Sequence, residues 1–425
     1  MSRPQRVGAK AKPRGKDDDV HIARDPADTD SRSRPTESAG ARPGSAGGAT
    51  EPRDPADRAT ASDLSTRPER LPAAVFNLPV GRLRSGYYSD AYFNLTKELL
   101  EAKDRHPRVL MQVFQREDSI LGGIDEAIAV LRLGSGHSRD DGDWEPGWDE
   151  LEVRALHEGD PVEPWEPVMT IEGDYSLFAH LETVYLGCMA RRSLVMRNVR
   201  DVVATAAGKP IIFFPARHDH WLVQTGDGWS AHVAGAIGVS TDAQASWWGG
   251  RGVGTVPHAL IAAYGGDTVA AASDFAERFA ADMNVTVLVD FVNDSAKTAV
   301  EVAAALGADL WGVRLDTSGS LVDFGLERVN PDAAPGVSVE LSKQVRDELD
   351  SAGHEHVSIV VSGGFDAERI AEFEQAGAPV DAYGVGSALL RGSNDFTADV
   401  VRVDGRPCSK VGRSERPSDR LELVD

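Results

Sequence analysis

The chain has 425 residues, 41% hydrophobic and 26% charged, which is enough for two or three domains. Its net charge of −22 argues against general nucleic-acid binding, because affinity for phosphate backbones comes from clustered Lys and Arg. The sequence has no apolar run long enough to span a membrane and no apolar signal-peptide core near its start, so we expect no membrane insertion and a cytoplasmic location.

Residues 1–70 differ in composition from everything that follows. They contain 14 Lys and Arg and 12 Asp and Glu, but only five large apolar side chains. A segment with so little to bury cannot offset the entropy lost on ordering. The composition therefore predicts a disordered tail over residues 1–70.

Residues 71–173 predict a small α+β domain. Leucines recur on one side of a helix within 86–105, and Val109 to Phe114 is typical of a strand. A second helix is expected over 122–133, and the Gly, Asp and Trp residues of 134–149 favour a loop. Alternating apolar and polar residues over 151–173 indicate short antiparallel strands.

Residues 174–394 alternate short β-rich runs with amphipathic helices, which indicates parallel βα units and an α/β fold. The predicted strands are 210–217, 285–291, 310–317, 357–365 and 382–390, and the predicted helices are 176–207, 269–283, 295–306, 337–352 and 366–376. An open doubly wound sheet and a closed barrel both fit this pattern. Two Gly-rich strand tips at the end of the series favour an irregular, TIM-like barrel. Residues 395–425 return to polar, strand-like sequence and are expected to rejoin the small domain.

In a parallel sheet, functional side chains collect where the strands end. Two such tips are candidate phosphate sites, because glycines let backbone N–H groups face an anion and a helix follows. A tight turn is the simpler reading of either tip alone, but two in succession favour phosphate binding. The residues concerned are Ser362, Gly363, Gly364, Gly384, Gly386 and Ser387.

Charged side chains end two further strands. Arg314 and Asp316 lie at i and i+2, on the same face of one strand. They could form an ion pair, or Arg314 could bind a carboxylate or phosphate while Asp316 binds a ribose hydroxyl or Mg²⁺. Asp290 has the same alternatives.

The run Arg217-His218-Asp219-His220 ends an apolar strand. A strand places only two of these imidazoles on one face and no third ligand has diagnostic spacing, so metal binding by histidine is disfavoured. An anion clamp at Arg217 is the better interpretation.

His258 follows Thr255 and a Gly-rich loop, at the start of a predicted helix. It could be a neighbour of the helix cap, or a nucleophile or general base, since imidazole titrates near neutral pH. Near the start of the small domain, four aromatic residues surround Ser89-Asp90 and could form an aromatic hinge or a stacking platform for a flat heteroaromatic substrate. They are Tyr87, Tyr88, Tyr92 and Phe93.

Taken together, residues 82–415 resemble nicotinate phosphoribosyltransferase, especially its shorter archaeal-type members. The matching segments, in order, are SDAYF (89–93), ETVYLG (182–187), ARH (216–218), GTVPHAL (254–260), GVRLDT (312–317), VSGGFD (361–366) and YGVGSAL (383–389). The sequence departs from the family at Phe214-Pro215, where a glycine is common, and residues 219–232 match less well than their flanks.

The resemblance implies a type II phosphoribosyltransferase fold, with an irregular α/β barrel beside a domain built from both chain ends. Members usually form homodimers in which the partner's N-terminal domain reaches over the barrel mouth. They join nicotinate to 5-phosphoribosyl 1-diphosphate in NAD biosynthesis, giving nicotinate mononucleotide and diphosphate, with Mg²⁺ and with coupled ATP hydrolysis.

The resemblance also implies roles for individual residues. His258 aligns with the histidine that ATP phosphorylates, Tyr92 and Phe93 with aromatics that stack on the pyridine ring, and Arg217 and Arg314 with clamps for carboxylate and phosphate. The matched motifs carry further predicted substrate contacts at Asp90, His218, Thr255 and Asp316. Asp290, which ends a predicted strand outside these motifs, is predicted to bind substrate as well. The two Gly-rich tips correspond to the 5-phosphate site.

Alternatives stay open at this point. A quinolinate enzyme of the same fold needs more cations for its second carboxylate. A nicotinamide enzyme needs no carboxylate clamp, so Arg217 is the residue that distinguishes a nicotinate enzyme from a nicotinamide enzyme. A non-catalytic paralogue that senses phosphoribosyl diphosphate is the alternative from another class. A barrel lyase or aldolase is disfavoured because no Lys ends a predicted strand.

Overall fold

Two six-stranded sheets organise residues 69–425, the part of the chain that the computed structural model describes. The predicted tail falls, apart from its last two residues, outside these described residues. The strands in chain order are β1 Arg108–Phe114, β2 Ser119–Ile120, β3 Gly136–Ser138, β4 Trp144–Pro146, β5 Glu152–Ala155, β6 Pro161–Val162, β7 Pro167–Asp174, β8 Ile211–Phe213, β9 Gly238–Val239, β10 Val285–Leu288, β11 Leu310–Leu315, β12 Ser358–Val361, β13 Ala382–Val385, β14 Thr397–Val403, β15 Arg406–Pro407 and β16 Glu422–Leu423.

The α-helices surround these sheets. In chain order they are α1 Val80–Arg84, α2 Ala91–Ala102, α3 Ile124–Gly134, α4 Glu182–Thr205, α5 Gln224–Val233, α6 Asp242–Ala245, α7 His258–Ala263, α8 Thr268–Phe279, α9 Ser295–Leu306, α10 Phe324–Val329, α11 Val339–Ser351 and α12 Ala367–Gln375. Of these described helices, none combines the length and the apolar character that crossing a membrane requires.

The first sheet is antiparallel and has the strand order β15-β14-β1-β7-β5-β16. Residues near both ends of the described chain therefore meet in one sheet, since β14 pairs with β1 and β16 pairs with β5. Helix α3 packs on α4 beside this sheet. The core between them is apolar, with Val113, Ile124, Leu131 and Tyr185 fully buried.

The second sheet is parallel, with the order β10-β11-β12-β13-β8-β9. Its strands are short and buried on both faces, as β10 and β13 illustrate, which is the pattern of a parallel sheet covered by helices. Strands and helices alternate through this region, so the α/β class predicted from the sequence is confirmed.

The parallel sheet curls, so that one backbone segment meets both of its edges. The Val253 amide donates to the Val239 carbonyl of β9 at 2.7 Å, and the Val256 amide donates to the Thr286 carbonyl of β10 at 2.8 Å. An isolated parallel bridge joins Val256 to Val287. The segment just before α7 is thereby held between the first and last strands of the sheet.

The predicted strand 210–217 is too long. It ends at Phe213 and gives way to a 3₁₀ turn over Pro215–His218. Pro215 has no N–H for the sheet ladder, and its fixed φ favours the first position of a helical turn. Arg217 and His218 therefore lie on a turn that follows the strand. The predicted loop 134–149 also contains a small hairpin, β3 with β4.

Candidate active site

The carboxyl ends of the parallel strands bring most of the predicted site residues together. Arg314 is the penultimate residue of β11, and Asp316 directly follows that strand. Ser362 follows β12 directly, while Gly384 lies inside β13 and Gly386 follows it. Because Val361 is paired with Tyr383, the register places Ser362 beside Gly384.

Arg314 is the centre of a hydrogen-bond network at these strand ends. Its Nε donates to Ser362 Oγ at 2.8 Å and one Nη donates to Thr255 Oγ1 at 3.1 Å. The second Nη lies 3.3 Å from Asp316 Oδ2, and Ser362 Oγ donates to Asp316 Oδ1 at 2.8 Å. Burial lowers the pKa of Arg314, against the attraction of the nearby carboxylates. The segment at Thr255, the end of β11 and the end of β12 are thus joined through one partly buried cation.

His258 and Asp290 form a dyad beside this network. His258 Nε2 lies 2.9 Å from Asp290 Oδ1, and the histidine side chain is 41% exposed whereas the aspartate is 6% exposed. Burial raises the pKa of Asp290, and the hydrogen bond from His258 opposes that shift. This contact occupies Nε2, so Nδ1 is the ring nitrogen left for other partners on a side chain that is 41% exposed.

The turn after β8 adds a second cation. Arg217, on this turn, repels the Arg314 guanidinium and adds to the lowering of its pKa, of which burial is the main cause. His218 lies against the strand tip of β13, where a Cβ on Gly386 would be 3.0 Å from its Cε1.

Phe214, which departs from the family pattern in the sequence, packs under the Arg314 guanidinium. The Arg314 guanidinium lies 5.2 Å above its ring centroid, and a Cβ on Gly384 would be 2.5 Å from its ring. The need for glycine at position 384 therefore comes from this ring. An aromatic residue next to a predicted anion clamp was the available signal.

The two glycine tips differ in conformation. Gly363 and Gly364 have φ values of 89° and 80°, in the left-handed region that favours glycine. Both residues are exposed, and so is Ser387, which begins a 3₁₀ turn after Gly386. Exposed backbone amides at adjacent strand tips can face a phosphate group.

Asp90, Tyr92 and Phe93 lie apart from this cluster, at the start of α2. Thr183 Oγ1 of α4 donates to Asp90 Oδ2 at 2.8 Å, and the rings of Tyr92 and Phe93 are 4.3 Å apart. Tyr92 is 60% exposed. Within residues 69–425, no hydrogen bond, ion pair or ring contact joins these three side chains to Arg314 or His258.

The site contains no protein cage for a metal ion. Among the described residues, no group of three or more His, Cys, Asp or Glu side chains has the geometry to hold one. Asp290 and Asp316 still lie at neighbouring tips, which suits Mg²⁺, since that ion is usually bound by one or two carboxylates together with substrate phosphates.

The chain is similar to a known protein family and to several solved structures. Residues 90–193 match the family model described as quinolinate phosphoribosyl transferase, N-terminal domain. The crystal structure titled nicotinate-nucleotide pyrophosphorylase from Pyrococcus furiosus superposes with a TM-score of 0.67 at 32% identity, covering 81% of this chain and 84% of that one. The human nicotinic acid phosphoribosyltransferase structure shares the fold, with a TM-score of 0.57 at 19% identity and 77% coverage of both chains. The fold is therefore that of a phosphoribosyltransferase.

Two curated nicotinate phosphoribosyltransferases are similar to the chain over part of their length. Nicotinate phosphoribosyltransferase pncB1 of Mycobacterium tuberculosis is 34% identical over 283 residues, which are 64% of this chain and 58% of that protein. The nicotinate phosphoribosyltransferase of Bacillus subtilis is 25% identical over 272 residues, 62% of this chain and 52% of that one. The chain spans little more than half the length of these curated relatives. It belongs to the family of the Pyrococcus furiosus protein, to which it is 32% identical and of which it covers 84%.

Proposed function

We propose that the chain joins nicotinate to 5-phosphoribosyl 1-diphosphate, giving nicotinate mononucleotide and diphosphate for NAD synthesis. The observation that carries the proposal is the Arg314 network, which gathers Thr255, Asp316 and Ser362 at the strand ends beside the His258–Asp290 dyad. The partial similarity to nicotinate phosphoribosyltransferases supports the same reaction.

The residues suit the chemistry of this transfer. The pyridine nitrogen forms a bond to the anomeric carbon of the ribose as the bond from that carbon to the diphosphate oxygen breaks, so the diphosphate leaves with the electron pair. Catalysis then depends on positioning both substrates and on stabilising the departing charge. Arg217 is the clamp for an anionic group, the glycine tips receive the 5-phosphate, and Asp316 faces the ribose hydroxyls. Mg²⁺, held by substrate phosphates with Asp290 or Asp316, would supply charge neutralisation.

We further propose that ATP phosphorylates His258. Because Asp290 occupies Nε2, the lone pair of Nδ1 is the acceptor for the γ-phosphoryl group, and ADP leaves. The charge that the imidazole then carries would alter the field at the adjacent strand ends and drive diphosphate release.

The exposed aromatic side chains near α2 support a homodimer. Tyr87, Tyr92, Leu95 and Leu99 are each at least 60% exposed, and an apolar patch of this kind marks an interface. A partner's Tyr92 and Phe93 would then cover the strand ends of this chain, which closes the irregular barrel over a bound pyridine.

One assay tests the reaction. The purified protein is incubated with phosphoribosyl diphosphate, Mg²⁺ and either nicotinate, nicotinamide or quinolinate, with and without ATP. Mononucleotide formed from nicotinate and increased by ATP is the expected result. Product from quinolinate with release of CO₂ would reassign the substrate, in line with the name of the matching family model. No product from any pyridine would favour a sensor of phosphoribosyl diphosphate.

A further inference from the structure

Two adjacent arginines on α4, Arg191 and Arg192, connect three parts of the molecule through charged hydrogen bonds. Arg192 donates from Nε to Glu126 of α3 at 3.0 Å and from one Nη to Asp227 of α5, also at 3.0 Å. Arg191 donates to both oxygens of Asp227, at 3.1 and 2.6 Å. The Asp227 side chain is 4% exposed, so this carboxylate is a fixed, buried anchor.

Arg191 also reaches the turn that carries the predicted anion clamp. One of its Nη atoms lies 2.7 Å from Asp219 Oδ2, and the His220 amide donates to the other oxygen of Asp219 at 2.6 Å. Asp219 directly follows Arg217 and His218. A single guanidinium therefore bridges the two ends of the segment 219–227, one end beside the clamp and the other on the buried anchor.

Two neighbouring features support the same segment. A Cβ on Gly226 would be 2.0 Å from Arg192 Cζ, so position 226 must lack a side chain for the Arg192 guanidinium to reach Asp227. Gln224 Nε2 donates to the Ala216 carbonyl at 3.3 Å and adds a second tie to the same turn. Residues 219–232 match the family less well than their flanks, and these contacts give that segment a role.

We propose that Arg191 is a positioning residue that holds the turn 215–219 so that Arg217 faces the substrate anion. The Asp219 side chain is 38% exposed and that of Arg191 is 26% exposed, so their contact is screened by solvent and adds little to stability. Its consequence is orientation, because a small displacement of a clamping group weakens binding of its anion. The kinetic part of this inference rests on the proposed function.

The test uses Asp219→Asn, Arg191→Met and the double variant in the full chain. Asn keeps an acceptor for the His220 amide but presents an NH₂ group to Arg191. We expect Asp219→Asn to raise the KM of nicotinate or of phosphoribosyl diphosphate about tenfold, with kcat within about twofold and the unfolding temperature almost unchanged. Because both residues act through one contact, the double variant should match Arg191→Met alone.

Arg197→Met is the matched control, since Arg197 lies on the same helix with 27% exposure and only a 4.0 Å pair with Glu117. It should leave both KM values unchanged. A lower unfolding temperature for Asp219→Asn with unchanged KM values would overturn the proposal, and so would additive effects in the double variant.

Hydrogen exchange provides a readout that does not depend on turnover. Amides of residues 214–223 should exchange faster in Asp219→Asn than in the parent protein or in Arg197→Met. If the parent protein makes no mononucleotide, the proposed reaction fails but this comparison still decides the positioning role. Equal exchange in all three proteins would overturn it.

Discussion

Arg314 shows how much of the site depends on one side chain. Its planar guanidinium meets three oxygens from three other residues at once, and a lysine ammonium cannot reproduce that fork. Removing the fork should also free Ser362 and Thr255 to move.

We therefore expect Arg314→Lys to lower kcat/KM about 100-fold or more, since it loses fixed donors as well as positioning. Steady-state kinetics with phosphoribosyl diphosphate as the varied substrate measures the loss. Thermal unfolding serves as the control for folding. A variant within about threefold of the parent enzyme would contradict a central role.

His258 should affect ATP stimulation more than the transfer itself. In His258→Ala, the acceptor for a phosphoryl group is gone while Arg314 and the glycine tips are unchanged. We expect basal mononucleotide formation to persist and the increase caused by ATP to disappear. The measurement is the rate ratio with and without ATP, and an equal ratio in both proteins would refute the phosphohistidine role.

The glycine tips that follow the strands depend for their function on backbone conformation. Gly363 has φ 89°, and a Cβ there would be 3.2 Å from Asp316 Oδ1. Alanine would therefore strain the turn by about 1–2 kcal/mol and push on the Arg314 network.

We expect Gly363→Ala to raise the KM of phosphoribosyl diphosphate about tenfold. Gly353→Ala is the matched control, because Gly353 has φ 82° but nothing within 4 Å of its Cβ position and lies just after α11. Both variants should lose similar stability in thermal unfolding, and only the first should change KM. Equal kinetic effects would argue against a phosphate site at 362–364.

At the scale of the whole molecule, a buried acid makes stability depend on pH. Glu158 is 3% exposed, and its oxygens accept from the amides of Gly123 and Asp125. Burial, followed by repulsion from Asp125, raises its pKa to about 8. The folded protein thus keeps a proton on Glu158 that the unfolded chain loses near its ordinary value of 4.5.

Stability should consequently fall as pH rises from about 4.5 to about 8, because the folded state binds more protons over that window. The neutral Glu158→Gln has no charge to bury. We expect its unfolding temperature, relative to the parent protein, to be more favourable at pH 9 than at pH 5. The same difference at both pH values would contradict the shift.

His180 acts in the opposite direction. It is 1% exposed, and burial lowers its pKa to about 3. In the unfolded chain this histidine has its ordinary pKa of 6.5, so between about pH 6.5 and pH 3 the unfolded state binds a proton that the folded state does not. Stability is therefore lost as pH falls through that window. We expect His180→Phe to resist acid unfolding better than the parent protein, as circular dichroism at pH 4 would measure.

The helices beside the parallel sheet could be predicted from the sequence alone. The predicted helix 295–306 coincides with α9, and the helices at 337–352 and 366–376 agree with α11 and α12 within two residues at each end. Apolar periodicity and capping residues such as Ser338 and Asp366 are written into neighbouring positions, so they can be read without the fold. The candidate residues at strand ends followed from the same local pattern.

Which of these residues contact one another depends on the tertiary structure. Thr255 contacts Arg314 from 59 positions away, and Asp227 joins Arg191 across 36 positions. The curl of the sheet, the ring of Phe214 against Gly384 and the burial of His180 likewise arise from packing between distant segments. Periodicity reports the environment of a residue but not its partner, because the partner is chosen by strand order and register.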